Sequence, residues 1–168
     1  MIDTETTPIV TAPRLAEAFA WNVGILRRQV EGLTHADSLL QPAVRGNCLN
    51  WVLGHIATHR DDILEALGEG RIHDEATKAR YHHGSAPILA DGEGVLSIDS
   101  LLASIDTAQE RIAAALGRVT TQDLAKDAPT SEPTPVGEEV FFLYWHDTYH
   151  VGQTEYLRQL AGTDDLRM

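Results

Sequence analysis

The stretch Trp51 to Leu67, WVLGHIATHRDDILEAL, decides the fold. Val52, His55, Ile56, His59, Ile63 and Leu67 recur at steps of three and four, so an α-helix would gather them on one face. Two histidines then lie on the side that should be buried. The helix is predicted to run from near Asn47 to Gly68, glycine being favoured just past a helix end.

The same period recurs on both sides of that stretch. Pro13 to about Val30 reads as a first helix, with Thr11 as its cap, Leu15, Phe19, Leu26 and Val30 on its apolar face, and Gly32 ending it. A short link, Thr34 to Gly46, follows. From Glu69 to Val95 the period is lost and glycine, proline and histidine accumulate, His73, His82 and His83 among them, which reads as a long crossover loop. Within it only Ala86 to Leu89 suggests a locally extended piece. A third helix is expected over Ser97 to Val119, with Ile98, Leu101, Leu102, Ile105, Ala108, Ile112, Ala115 and Leu116 on one stripe. Thr120 to Val136 should be irregular apart from a turn around Gln122 to Ala125. The last helix is predicted from Val136 to Ala161, closed by Gly162, with Phe142, Leu143, His146, Tyr149, His150, Gln153, Leu157 and Leu160 on its inner face. Trp21, Trp51 and Trp145 are read as core or dimer-interface residues.

These elements make one all-helical domain over residues 1–168, a length and a 43% hydrophobic content sufficient for a real core. No stretch approaches the roughly 18 apolar residues that cross a bilayer, and Met1 to Thr11 has neither a basic region nor an apolar run, so no membrane association and a cytoplasmic location are expected. The single cysteine, Cys48, cannot close an internal disulfide; it is read as packed, the other reading being a thiolate at a helix start. With 25 acidic against 13 basic side chains and a net charge of −12, the chain should repel nucleic acid.

The eight histidines are the informative excess. His146 and His150 stand four residues apart, one above the other on a helix face, close enough to bind one ion. A buried imidazole needs a partner for its polar nitrogens, and a metal ion supplies one. A third imidazole from the facing helix, His55 or His59, would complete a three-ligand site with an open position. The competing reading makes each a packed histidine bonded to a carbonyl or carboxylate.

Asn50-Trp51-Val52-Leu53-Gly54-His55-Ile56, followed by His146-Asp147-Thr148-Tyr149-His150-Val151-Gly152-Gln153, resembles the DinB-like superfamily, which includes the YfiT-type proteins. The resemblance spans essentially the whole chain in helix order and loop placement. It implies a four-helix bundle, up-up-down-down with long crossover loops, commonly a homodimer, holding one divalent metal ion through His55, His146 and His150. His59 has no fixed place in that pattern and is left as a reserve ligand or a group behind the ligands. Members include thiol-dependent transferases and isomerases that activate a low-molecular-weight thiol on the metal, and proposed hydrolases.

Three expectations follow. The first is a transferase using a small-molecule substrate and a low-molecular-weight thiol as nucleophile; the second, a hydrolase using water activated on the metal; the third, a non-catalytic stress or interaction protein whose ion staples two helices. Three imidazoles suit zinc or nickel, and also iron or copper. Asp147, about 100 degrees round the helix from His146, should face a neighbouring helix or solvent. Gln153 and Tyr149 are candidates for orienting a ligand or donating a hydrogen bond, with bundle packing as the alternative. His82 or His83 could add a ligand or carry protons, the plainer reading being that both are solvated.

Overall fold

A computed structural model of the protein describes residues 11–129 and 133–163. Residues 1–10 of the segment read for a leader and 130–132 of the segment read as irregular lie outside these. The described residues are all-helical: α1 (Ala12–Val30), α2 (His35–Ser38), α3 (Leu49–Ala66), α4 (Glu75–Tyr81), α5 (Ile98–Leu116), α6 (Thr121–Leu124) and α7 (Val136–Arg158), which tightens into a 3-10 turn at Gln159–Ala161. An isolated bridge between Asp127 and Pro135 is the β-type pairing recorded among them. None of the described helices is long and apolar enough to cross a membrane.

The caps explain where the helices begin. Thr11, Asp74 and Ser97 each accept from a backbone N–H one turn on, and Thr34 with Asp37 and Thr120 with Asp123 form reciprocal capping boxes. At the far ends, Gly32 (φ 77°), Gly68 (φ 78°) and Gly162 (φ 77°) take up the left-handed conformation that stops a helix.

Helices α1 and α3 each pack against both α5 and α7. The core has two parts. One, around Phe19, Ile63, Leu64, Ile112, Leu116 and Val140, is built from the long helices with residues of their connections at its edge. The other, around Leu26, Leu49, Leu53, Ile56, Leu101 and Ile105, also takes in Tyr81 and Ile88 from the crossover. Each such side chain, fully buried, contributes about 1.5–3 kcal/mol.

The crossover differs from the expectation of an unstructured loop. Asp74 starts α4, whose last residue, Tyr81, is fully buried against α3. A Cβ at Gly54 would lie 2.0 Å from the Tyr81 ring, so only glycine leaves room for that ring to lie on the helix. Tyr81 Oη accepts from Leu96 N (2.8 Å) and donates to Asn50 Oδ1 (3.2 Å), while Asn50 Nδ2 donates to Leu96 O (2.9 Å). Upstream, the buried Asp61 carboxylate accepts from Ile72 N, His73 N and His73 Nδ1. Burial pushes its pKa up, but those three bonds outweigh burial and hold it below the usual range. Residues 86–89 are not a strand; Ile88 is buried and its carbonyl accepts from Gln41 Nε2 and Cys48 Sγ. Cys48 is packed at the start of α3.

Two residues placed on the inner face of the last helix are corrected: Phe142 and Tyr149 are 55% and 56% exposed. Trp51 is in the core, whereas Trp21 and Trp145 are exposed.

Candidate metal centre

The α3–α7 seam brings the expected histidines together. His55, His146 and His150 each offer a ring nitrogen, and the three atoms lie within 4.8 Å of one another. His55 is fully buried, stacked under Trp51 with ring centroids 4.7 Å apart and planes 18° from parallel. Its Nδ1 stands 2.7 Å from the Tyr81 carbonyl oxygen. A carbonyl only accepts, so Nδ1 carries the proton and Nε2 keeps its lone pair. His150 is held likewise, its Nδ1 donating to Gln153 Oε1 at 2.9 Å. Its Nε2 faces His146 Nε2 at 3.2 Å.

This arrangement fits a divalent ion. Metal-nitrogen bonds of about 2.0–2.1 Å in tetrahedral geometry place two ligand nitrogens about 3.3 Å apart, close to the His146–His150 separation. Nδ1 of His55 and of His150 is fixed by an acceptor, the arrangement by which outer groups orient metal-binding imidazoles. The rings are also held neutral, as ligands must be. Burial lowers the His55 pKa to about 3, with the neighbouring His59 adding to it, and lowers His146 to about 4 in the same way. His150 is lowered by burial too, against the opposing bond from Gln153.

His59 packs beside the group, its centroid 4.3 Å from His55 and 4.2 Å from His146, but its Nδ1 is turned to Asp62 Oδ2 at 3.0 Å. Asp62 also accepts from Lys78 Nζ at 2.6 Å. His82 and His83 are both exposed, and His83 lines the cleft that opens onto the site while His82 does not. Tyr149 sets its ring edge-on to His150, centroids 5.0 Å apart. The cleft measures about 770 Å³ and reaches His55, His146 and His150 from outside.

Asp147 faces the neighbouring helices. Its two carboxylate oxygens accept from Arg60 Nε (3.1 Å) and Nη2 (3.0 Å), and Asn22 Nδ2 of α1 donates to it as well (2.8 Å). Arg60 Nη1 reaches Gln109 Oε1 of α5 at 3.0 Å. Both charged side chains are almost wholly buried, at 1% and 2% exposure. This pair and the Tyr81 carbonyl are the site-shaping groups that the sequence reading missed. Asp74, four residues after the glycine-rich turn, was the one available signal for the helix that delivers Tyr81.

Comparisons with known proteins bear on the family and the fold. The family model described as the DinB superfamily matches residues 18–154. Six solved chains are similar in structure. One, the crystal structure of a conserved protein from Enterococcus faecalis, is 15% identical with a TM-score of 0.68, and the likeness covers 90% of this chain and 97% of that one. At that identity the likeness concerns the fold. No curated protein matches the sequence.

Proposed function

The chain belongs to the DinB superfamily, and we propose that it is a metal-dependent enzyme of the thiol-dependent transferase type, holding one divalent ion through His55, His146 and His150. The observation that carries this reading is the convergence of three neutral imidazoles, two with Nδ1 already engaged, at the floor of an open cleft. Zinc or nickel suits such a donor set, with iron and copper as further candidates. When bound, the ion supplies a +2 charge that lowers the pKa of a thiol or water beside it.

The chain's own residues do the rest. The Tyr81 carbonyl and Gln153 fix the rings, Trp51 and the bundle core exclude water from behind, and the cleft admits a small molecule from in front. The size of that opening favours catalysis over an ion that only staples α3 to α7, since a staple gains nothing from access. A hydrolase that activates water at the same place is the alternative.

The finer topology belongs to this proposal: the first two long helices run parallel to each other and antiparallel to the last two. That α1 and α3 share both of their long neighbours supports it. So does a homodimer, for which exposed Trp21, Phe141 and Phe142 supply apolar surface. The net charge of −12 argues against nucleic acid as a partner.

The test begins with metal analysis of protein purified without a histidine tag, alongside His150→Ala. We expect about one equivalent in the native protein and none in the variant, because two imidazoles do not retain an ion through purification. A chromogenic electrophile should then turn over only when a small thiol is added. Turnover that is indifferent to thiol would select the hydrolase; an unchanged metal content in His150→Ala would overturn the site.

A further inference from the structure

The cleft above the histidines has a composition unlike that of the chain around it. The protein carries 25 aspartate and glutamate residues, yet among the described residues none lines this cleft. Arg45, in the link between α2 and α3, is the single described lysine or arginine that does. Arg45 has no hydrogen-bond or ion-pair partner among the described residues, whereas most arginines here are paired with a carboxylate or a carbonyl. Apolar area makes up most of the remaining wall: Trp51 at the base, and Trp145, Tyr149 and Tyr156 along α7, with Trp145 and Tyr149 stacked at 6.2 Å between centroids.

Leaving acids out of one concavity of a strongly acidic protein makes that concavity the place where an anion meets least repulsion. A guanidinium with free donors offers a forked contact to a carboxylate or phosphate. Aromatic faces offer stacking and apolar contact to a flat or hydrocarbon body. We infer that the substrate is an anionic small molecule with an apolar or aromatic body, its anionic group anchored by Arg45 while its reactive end reaches the histidines. This rests on the functional reading above for what the histidines do, but the anchoring itself needs only the cleft.

The probe pair is 2-naphthoate and 2-naphthamide, alike in shape and differing in charge, titrated by ligand-observed NMR against zinc-loaded and zinc-free protein. Wild-type protein should bind the carboxylate more tightly than the amide. Arg45→Gln should weaken naphthoate by about fivefold and leave naphthamide unchanged, the effect of one well-placed, partly exposed ion pair. Arg45→Lys should recover part of the loss, and Arg28→Gln, an equal change of charge away from the cleft, should recover none because it should lose none. If the Arg45 effect is present with and without zinc, the anchor stands even where metal analysis rejects the proposed centre. If Arg45→Gln binds naphthoate as tightly as wild type, or if wild type does not prefer the carboxylate, the inference is overturned.

Discussion

Two polar layers cross the α3–α7 seam, adjoining in sequence at His146 and Asp147 of α7, and they are finished differently. In the first, Arg60, Asp147, Asn22 and Gln109 meet in the interior, and the carboxylate and guanidinium are fully engaged with one another and their neighbours. In the second, His55, His146 and His150 turn nitrogens toward each other and toward a cleft, with outer nitrogens held and inner ones converging. A sealed ion pair contributes little net stability over an apolar equivalent, yet leaving one charge alone there is expensive. An open cluster of neutral bases is the reverse: it tolerates loss of a member and gains from a cation. The difference separates a layer that fixes the register of two helices from one that is free to do chemistry.

The strongest way to break the comparison is Asp147→Ala, which strands the Arg60 guanidinium. Urea unfolding of metal-free protein should show a loss of about 3–5 kcal/mol, whereas His150→Ala costs much less under the same conditions. A loss below ~1 kcal/mol in Asp147→Ala would mean that water reaches Arg60 and that the layer is not sealed.

Acid should act on the second layer. His55 and His146 have folded pKa values of about 3 and about 4, below the unfolded value of 6.5. As pH falls through 6.5 the unfolded chain takes up protons that the folded one refuses, so stability is full above that value and declines down to the folded pKa. For His55 alone, going from pH 7 to pH 5 removes about 2 kcal/mol from the metal-free protein. The carboxylates with lowered pKa, Asp61 and Asp62 among them, begin to matter only around their ordinary value of 3.8, so a urea midpoint that stays flat between pH 7 and pH 5 would count against buried, neutral rings.

The smallest effect sharpens the contrast within the second layer. Gln153→Ala removes the acceptor that aims His150 and should weaken zinc affinity about tenfold, ~1.4 kcal/mol, with unfolding of the metal-free protein little changed. Competition with a chromogenic chelator measures the first quantity. Equal zinc affinities would assign Gln153 to packing.

What could be read from the sequence followed from periodicity and caps. The four long helices were legible because α1, α3 and α5 repeat an apolar pattern over 18 or 19 residues, α7 runs for 23 residues rich in apolar side chains, and three of the four end near a left-handed glycine. Helix α4 was not, since seven residues make barely two turns and its apolar anchor is the single Tyr81. The facing of Phe142 and Tyr149 was misread because α7 carries large apolar side chains all round, so no stripe marks its inner side. His146 and His150 were legible from their spacing, and His55 came with the resemblance. What holds them was hidden: a backbone carbonyl such as that of Tyr81 has no signature in residue type, and the Arg60–Asp147 pair joins positions 87 residues apart.

Tyr81 carries a practical lesson for anyone copying this centre. Transplanting the three histidines into another helical bundle would bring the donors but leave the His55 ring free to flip, because the carbonyl that chooses its tautomer arrives from the last turn of α4, 26 residues further along. Gly54 and Asn50, which seat that turn, would have to travel with them. The smallest portable unit is therefore a helix together with the strap lying across it.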